Sequence, residues 1–289
     1  MTKSSRQQKK KEQYPTFGIR EFQIELEADD SLQYHDIIGE RLIEKPHKHD
    51  FFIFQLFEKG SGIHTIDFVD YKVKDSQIHL LFPDQVHTWK LGKSTRAFQL
   101  MISRRIYESF SSSLDLSYIL YQKHPVVNLS AEMYSKLHYE IFAIKKELQK
   151  KPVQWSIVNL RSRLIAEMVS REAEKKFKDM SIYRTKPILH QYYTLVDAHF
   201  REQKSVSFYA SQLNITPNYL NILSQRHFNV PAMFLIQNRI TLEAKRLLQA
   251  SDKSIKEISF GLGFNDPAYF SNFFKGQTNV SPREFREQL

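Results

Sequence analysis

Cysteine is absent from the 289-residue sequence, and glycine is scarce, with only eight residues. The first absence excludes a disulfide framework, thiolate metal sites and cysteine nucleophiles, and it fits a reducing compartment. The second disfavours a nucleotide-binding fold, which needs a glycine-rich phosphate loop. No run of about twenty apolar residues occurs, and polar residues follow the basic N-terminus where a signal peptide needs an apolar stretch. We therefore predict a cytoplasmic protein without a membrane span.

Acidic residues are the scarcer charge: 32 Asp and Glu stand against 42 Lys and Arg, for a formal net charge of +10. Such a balance favours polyanionic partners, meaning nucleic acid or an anionic membrane surface. About half of the excess lies in an acid-free segment, at Lys3, Arg6, Lys9, Lys10 and Lys11. We predict that residues 1–16 form a solvated, disordered tail rather than a specific DNA-binding arm.

The length predicts two domains, and a content of 41% hydrophobic residues allows each of them a core. Residues 17–129 have a strand-like pattern, with runs such as FFIFQLF, GIHTIDF and QIHLLFP between turn residues. Residues 130–180 and 181–289 have helical patterns instead. We predict an α+β protein: an N-terminal β-barrel or sandwich, a helical linker and an all-α C-terminal domain.

The linker begins with a helix that Ser130 can cap. This helix contains a short heptad seam. Its apolar residues recur at spacings of 3, 4, 3 and 4, at Tyr134, Leu137, Ile141, Ile144 and Leu148. With about two heptads, the seam either packs on its own chain or forms a homodimer contact, and the sequence leaves both open. Beyond Pro152 we predict a second helix with an apolar stripe at Ile157, Leu160, Leu164 and Met168.

The C-terminal domain contains one small element twice, as SQLNITPNYLNILSQRHFNVPAMFL and GLGFNDPAYFSNFFKGQTNVSPREF. In each copy a serine, Ser205 or Ser254, stands where it can cap a short helix. A tight turn follows, and then a second helix begins at Pro217 or Pro267, because proline suits a first turn. A short helix, a tight turn and a second helix make a helix-turn-helix.

The outward faces of the two second helices have the chemistry of DNA recognition. We expect Tyr219, Leu220 and Leu223, and the matching Tyr269, Phe270 and Phe273, to point inward. An ordinary solvated face would include acids, yet 217–228 and 267–278 contain none. Asn and Gln can bond bidentately to adenine, and Ser and Lys reach bases or phosphate. The candidate base-reading residues are Pro217, Asn218, Asn221, Ser224, Gln225, Asp266, Pro267, Ala268, Ser271, Asn272 and Lys275.

The segment between the copies, PAMFLIQNRITLEAKRLLQA, predicts a helix of about 30 Å at 1.5 Å per residue. One turn of B-DNA is about 34 Å long. A helix of this length can therefore hold two reading helices in successive major grooves on one face of a duplex.

Residues 187–289 closely resemble the DNA-binding domain of the AraC/XylS family of bacterial transcription regulators. The resemblance rests on the Leu-Gly-Phe turn at 262–264, the Tyr-Phe pair at 269–270, Phe274-Lys275 and Ser281-Pro282. The sequence departs from the family by having Ser259 where Ala is usual, and Asn229 and Asn279 where Gly is usual. We expect each asparagine to end its helix in the left-handed conformation, which Asn tolerates. The resemblance implies phosphate contacts at Arg226, Arg239, Ser254 and Lys256. It also implies promoter DNA, RNA polymerase and a second copy of the chain as partners, and activation as the outcome.

The stretches PHKHDFFIFQLFEKGSG and LLFPDQVHTW resemble the two motifs of a cupin barrel, the usual sensor domain in this family. Metal cupins have two histidines and a Glu in the first motif and a histidine in the second. Here the carboxylate position is Ile53, which removes the anionic ligand of an iron site. We predict no metal and no cofactor, although a three-histidine zinc site remains an alternative. The expected role is effector binding, by His47, His49, Phe51, Ile53, His87 and Trp89.

No catalytic arrangement is recognisable, because the Gly-x-Ser-x-Gly elbow and the His-Glu-x-x-His helix are both missing. We predict a transcription regulator, not an enzyme, that responds to a small molecule whose identity the sequence leaves open. The alternatives are a metal-dependent cupin enzyme with a DNA-binding appendage, and a regulator controlled by a protein partner.

Overall fold

The structure is a computed structural model that describes residues 16–17, 32–111, 121, 124–177 and 187–287. Residues 1–15 of the basic tail and residues 178–186, between the linker and the C-terminal domain, lie outside the described residues. Within the described part of the chain, no helix combines the length and the apolarity needed to cross a membrane.

Among the described residues, the N-terminal domain contains ten strands and the short helix α1 (Arg104–Ser111). The strands are β1 (Thr16–Phe17), β2 (Leu32–Ile38), β3 (Arg41–His49), β4 (Phe52–Lys59), β5 (Gly62–Ile66), β6 (Val69–Lys72), β7 (Gln77–Leu81), β8 (Val86–Leu91), β9 (Arg96–Ile102) and β10 (Val126–Asn128). They form two five-stranded sheets, in the orders β1-β3-β8-β5-β6 and β10-β7-β4-β9-β2. The predicted architecture is confirmed in its sandwich, jelly-roll-like form rather than as one closed barrel.

Strand β4 shows how the sequence fills both faces of a central strand. Phe52, Phe54 and Leu56 contribute to the core beneath the helices, whereas Ile53 belongs to a separate cluster with residues of the facing sheet. Successive side chains of a strand alternate between faces, so Gln55 lies on the same side as Ile53. The space between the sheets therefore receives a polar side chain at the centre of the domain.

The linker helices α2 (Ala131–Leu148) and α3 (Trp155–Lys176) cover the second sheet. The oxygen of Ser130 accepts the N–H of Met133, which confirms the predicted cap. The heptad seam packs on its own chain: Leu137, Ile141 and Ile144 are 0–1% exposed and share the core of the strands. Tyr134 and Leu148 are partly buried against the same core. Of the two alternatives that the sequence left open for these five residues, the structure therefore supports packing of the seam on its own chain.

The apolar stripe predicted for the second linker helix is wrong by about one residue. Leu160 is 68% exposed and Leu164 is 45% exposed, whereas Val158, Ile165 and Val169 are fully buried. The predicted stripe and the buried stripe both have helical spacing. Only the position of the helix relative to the sheet decides which of the two is covered.

The C-terminal domain contains α4 (Pro187–His199), α5 (Val206–Gln212), α6 (Pro217–Phe228), α7 (Ala232–Ala250), α8 (Ile255–Gly261), α9 (Pro267–Thr278) and α10 (Pro282–Glu287). Helix α7 connects the two copies, and its 19 residues give a length of about 28 Å. The predicted serine caps and proline starts are confirmed. Asn229 and Asn279 end the second helices in the left-handed conformation, as the sequence predicts.

Candidate DNA-binding face and effector pocket

In the first copy, the exposed side of α6 includes most of the predicted base readers. Pro217, Asn218 and Gln225 are exposed. Ser224 is fully buried, and its hydroxyl donates to the carbonyl oxygen of Val230 at 2.7 Å. Its predicted outward position is therefore wrong: a small hydroxyl here closes the end of α6 instead of facing solvent.

Asn221 is exposed but has a structural task as well. Its side-chain oxygen accepts the N–H of Ala232 at 3.0 Å. Because Pro231 precedes α7 and offers no side-chain cap, Asn221 caps that helix from the neighbouring one. Tyr219, predicted to point inward, is 46% exposed, so it belongs to the outer surface.

In the second copy, Ala268, Asn272 and Lys275 are exposed on α9. Ser271 is half-buried and donates to the carbonyl oxygen of Pro267, one turn back. Asp266 caps the helix by accepting the N–H of Ala268 at 2.8 Å. Tyr269 is 64% exposed, again contrary to the expected inward position, so both copies present a tyrosine ring beside their polar residues.

The predicted phosphate contacts lie in different environments. Arg226 and Lys256 are exposed. Ser254 is exposed, but Glu257 accepts both its N–H and its hydroxyl at 2.7 Å in a capping box. That carboxylate stands at the N-terminus of α8, where a phosphate was expected. The side chain of Arg239 is only 12% exposed, so it does not lie on the DNA-facing surface.

Arg239 instead belongs to a charged network at the contact between the domains. It pairs with Asp197 at 2.7 Å and with Glu243 at 2.9 Å. Burial would raise the pKa of the Glu243 carboxyl, but Arg239 and Arg246 outweigh that effect and lower its pKa to about 2. Glu243 is therefore ionised at neutral pH and holds the arginines on one side of α7.

Arg246 carries this network into the sensor domain. Its guanidinium donates to both carboxylate oxygens of Asp67, at 2.9 and 2.7 Å. Asp67 lies in the turn between β5 and β6, and it also accepts the side-chain amide of Gln85 at 2.7 Å and the N–H of Val86 at 3.3 Å. The pair is buried, with side-chain exposures of 4% and 8%. A single carboxylate thus joins the start of β8 to the helix between the two copies.

The predicted effector residues come together between the two sheets. His47, His49, Phe51, Ile53 and His87 are all at most 5% exposed, and Trp89 is half-buried beside them. The Nε2 atoms of His49 and His87 are 2.8 Å apart. The side chains that the sequence assigns to effector binding therefore share one interior.

Four further polar side chains of this interior escaped the sequence interpretation. His64 and His79 are fully buried, with their Nδ1 atoms 2.9 Å apart. Gln55 is fully buried and Gln99 is 8% exposed, and the two are register partners on β4 and β9. The available signal was strand alternation, because Gln55 comes two residues after Ile53.

Burial lowers the pKa of every one of the five clustered histidines, because a charged imidazolium loses its hydration there. For His49 and His64 the pKa falls to about 3, and for His47, His79 and His87 it is also lowered. The interior is thus uncharged at neutral pH. Its imidazoles can accept or donate hydrogen bonds, and their lone pairs are not blocked by protonation.

Several buried polar atoms in this interior have no hydrogen-bond partner among the described residues. They are both side-chain polar atoms of Gln55, the oxygen of Gln99 and the indole nitrogen of Trp89. A buried polar group without a partner costs about 1–3 kcal/mol. Donors and acceptors left in this way are what a polar ligand can satisfy.

His47, His49 and His87 also offer one ligand atom each, all within 4.8 Å of one another. These three neutral nitrogen donors fit a metal ion that prefers imidazole. They do not fit the two-histidine, one-carboxylate iron site, because Ile53 is a buried hydrocarbon.

Comparison with known proteins assigns both domains. Residues 40–148 match the AraC-like ligand binding domain family, and residues 209–288 match the Helix-turn-helix domain family. The HTH-type transcriptional activator RhaS of Salmonella schwarzengrund (strain CVM19633) is 23% identical over 261 residues, which cover 83% of this chain and 87% of the relative. Together the two matches extend over most of the chain.

Two solved structures show weaker similarity. ToxT from Vibrio cholerae O395 is 18% identical, with a TM-score of 0.44, and the match covers 90% of this chain and 99% of that one. The C-terminal domain of AraT, a response regulator from Geobacillus stearothermophilus, is 26% identical with a TM-score of 0.35, covering 36% of this chain and 87% of that one. From the two domain matches and the related activator, the chain belongs to the AraC/XylS family of transcription regulators, with an N-terminal ligand-binding domain and a C-terminal helix-turn-helix domain.

Proposed function

We propose that the chain activates transcription by binding promoter DNA through α6 and α9, under the control of a small uncharged polar molecule held between the two sheets. The observation that carries this proposal is the pair of exposed, carboxylate-free helices joined by one 19-residue helix. The name of the related activator supports activation as the outcome. Such a role places the protein with the chromosome in the cytoplasm, with RNA polymerase as a partner and no catalytic turnover.

For base reading we retain the residues that the structure leaves exposed, chiefly Asn218 and Gln225 in the first copy and Asn272 and Lys275 in the second. We withdraw Ser224 from the base-reading residues and Arg239 from the phosphate contacts, because both side chains bond within the protein. Helix α7 is about 28 Å long, close to the roughly 34 Å of one duplex turn. Each copy is therefore expected to read its own major groove.

Footprinting of the full chain on a promoter tests this reading. Two protected half-sites about one helical turn apart are expected. Asn218→Ala should weaken protection of one half-site and Asn272→Ala the other, each by about 1–3 kcal/mol. Gln149→Ala, exposed at the end of α2, serves as the control and should change neither. Equal loss at both half-sites from either variant would contradict the two-groove arrangement.

The chemistry of the sensor interior selects the class of effector. Gln55, Gln99 and Trp89 offer buried donors and acceptors, and the surrounding imidazoles are neutral. An anionic ligand would lose its hydration without gaining a cation, whereas a polyhydroxyl molecule can satisfy these groups. We therefore infer an uncharged, hydroxyl-rich effector.

Thermal unfolding with a panel of uncharged polyols and sugars tests the effector class. A true effector stabilises the folded chain in proportion to RT ln(1 + [L]/Kd), and Gln55→Met should abolish that shift. The matched control is Gln149→Ala, which keeps the sensor interior intact. If no small molecule shifts the unfolding temperature while a protein partner co-purifies, regulation by a protein partner becomes the better account.

Coupling between effector and DNA is proposed to run through Asp67. The carboxylate contacts the N–H of Val86, next to His87, and the guanidinium of Arg246 on α7. A ligand that displaces β8 therefore changes the contact between Asp67 and Arg246 on α7, the helix that connects the two helix-turn-helix copies. Asp67→Asn should make DNA binding independent of effector, whereas Asp75→Asn, which disrupts an exposed pair with Lys59 in the same domain, should leave the response intact.

The homodimer is proposed on a different face from the seam that the sequence indicated. Exposed apolar side chains remain on the linker helices, at Tyr139, Phe142, Leu160 and Leu164. Glu140 pairs with Arg161 between the two helices, which keeps α2 and α3 side by side. Sedimentation should show a dimer that Leu160→Glu dissociates, with Gln149→Glu, exposed at the end of α2, as the charge-changing control.

A further inference from the structure

The two helix-turn-helix copies are joined by loop 200–204 as well as by helix α7. This loop lies between α4 and α5, just before the first copy. The hydroxyl of Tyr209 on α5 donates to the backbone carbonyl oxygen of Gln203 at 2.6 Å. The guanidinium of Arg201 donates to the carboxylate of Glu243 on α7 at 3.1 Å. The loop is therefore bonded both to the first copy and to the connecting helix.

Lys204 bonds the same loop to the second copy. Its ammonium donates to the carbonyl oxygen of Gly263 at 2.9 Å and to that of Arg201 at 2.6 Å. These carbonyls come just after α8 and α4, where backbone acceptors need partners from outside the helix. The same nitrogen lies 4.9 Å from the centre of the Phe264 ring, within the range of a cation–π contact. One positive charge therefore holds together two turns from distant parts of the domain.

The turn of the second copy is shaped for this close approach. Gly263 is left-handed, and a Cβ there would lie 1.8 Å from the carbonyl oxygen of Arg201. The corresponding residue of the first copy is Asn214, which is also left-handed, with φ 53°, and is exposed. The first-copy turn thus accommodates a side chain, whereas in the second copy loop 200–204 occupies that place.

Phe264 connects the loop to the reading helix α9. The ring is 5% exposed, and its centre lies 5.3 Å from those of Phe270 and Phe273 on α9. The core that both copies share is mainly hydrocarbon, and hydrophobic packing is non-directional. The hydrogen bonds of Lys204, in contrast, require their two carbonyl oxygens at defined positions. The orientation of α9 relative to α6 therefore depends on Lys204 in addition to the shared core.

We propose that Lys204 is a positioning residue that fixes the angle between α6 and α9 and so selects one spacing of half-sites, given that both helices bind DNA as proposed above. One base pair inserted between the half-sites moves the second site by about 3.4 Å along the duplex and about 34° around it. A chain held in one orientation should lose affinity for the altered duplex. A chain without the Lys204 contacts should lose less.

Affinity for a series of duplexes with no, one or two base pairs inserted between the half-sites tests this role. The wild type should prefer one spacing by about 10-fold, which corresponds to one lost bidentate base contact. Lys204→Met keeps the length of the side chain but removes its donors, and it should lower this preference several-fold. Lys204→Arg retains a cation with donors and should preserve it. Lys253→Met, which removes an exposed charge of the same domain, is the matched control and should change all affinities by one factor.

A distance measurement without DNA provides an independent readout. The chain contains no cysteine, so Ser211→Cys on α5 and Gln277→Cys on α9 introduce two unique positions for spin labels. Both residues are exposed. The distribution of distances between the labels should be narrow in the labelled chain. Lys204→Met should broaden or shift that distribution, and Lys253→Met should leave it unchanged.

The outcomes separate this role from DNA binding itself. If the wild type prefers one spacing and Lys204→Met keeps the same preference and the same label distances, Lys204 has no positioning role, while binding to two grooves stands. If the wild type binds every spacing equally, both the two-groove arrangement and the role of Lys204 are overturned. A variant that is only less stable would lose affinity equally at every spacing, which also contradicts a positioning role.

Discussion

The two domains bury opposite kinds of chemistry. The core of the C-terminal domain is mostly hydrocarbon, with Tyr192, Phe200, Phe270 and Phe274 almost fully buried. The space between the sheets of the sensor contains histidine and glutamine side chains of equal burial. Hydrocarbon burial stabilises a fixed arrangement of helices, whereas a polar interior stabilises only when each group finds a partner. The difference indicates that the C-terminal domain is rigid, whereas the N-terminal domain can accommodate a ligand.

The largest effect should come from the hydrocarbon core. Phe274 is fully buried against Phe270 and Phe285. Phe274→Ala should lower the free energy of unfolding by about 3–5 kcal/mol, since it removes the ring and leaves a cavity. Urea unfolding measures the change, with Phe260→Ala, at a residue 48% exposed, as the control. A loss below about 1 kcal/mol would mean that this core is not tightly packed.

A backbone substitution in the same domain should have the next largest effect. Gly263 has φ +72°, and a Cβ there would lie 1.8 Å from the carbonyl oxygen of Arg201. Gly263→Ala should therefore destabilise the chain by about 3 kcal/mol. The first copy has Asn214 at the corresponding turn, with φ 53°, and Asn214→Gly should change stability by less than about 1 kcal/mol. Equal effects in the two copies would show that their turns are equivalent.

Acidification should affect the sensor first. The pKa of His49 and of His64 is about 3 in the folded chain, below the value of about 6.5 in an unfolded one. The unfolded state therefore binds more protons between these values, and stability is lost as the pH falls from about 6.5 towards 3. Each such histidine contributes about 1.4 kcal/mol per pH unit in that window. Hydrogen exchange of metal-free protein at pH 7 and pH 5 should show β5, β7 and β8 opening before α7.

The smallest effect should have the opposite sign. Gln55→Met replaces a buried amide that has no hydrogen-bond partner among the described residues by a side chain of similar shape. The free energy of unfolding should rise by about 1 kcal/mol, because the desolvation penalty disappears. The same variant should lose its response to any effector, which is the usual conflict between stability and function. Destabilisation by Gln55→Met would mean that the amide already has its partner.

Much of the C-terminal domain could be predicted, because the sequence signals for its helix ends are local. Serine caps, proline starts and left-handed asparagine ends act within a few residues, so Ser205, Pro217 and Asn229 had the predicted roles. The exposed tyrosines and buried Ser224 could not be predicted, since periodicity gives a helix two apolar directions and only packing selects one. Val230, which accepts the Ser224 hydroxyl, comes from beyond the end of the helix.

The sequence by itself determined the order of the domains, the doubled helix-turn-helix, the length of the connecting helix and the absence of thiolate chemistry. Those properties depend on composition and on contacts between near neighbours. The tertiary structure decided that the heptad seam faces its own sheet, that Arg239 serves a network at the domain contact, and that five histidines meet in one interior. These outcomes depend on which distant strands pair, because His64, His79 and His87 come together only through the arrangement of the two facing sheets.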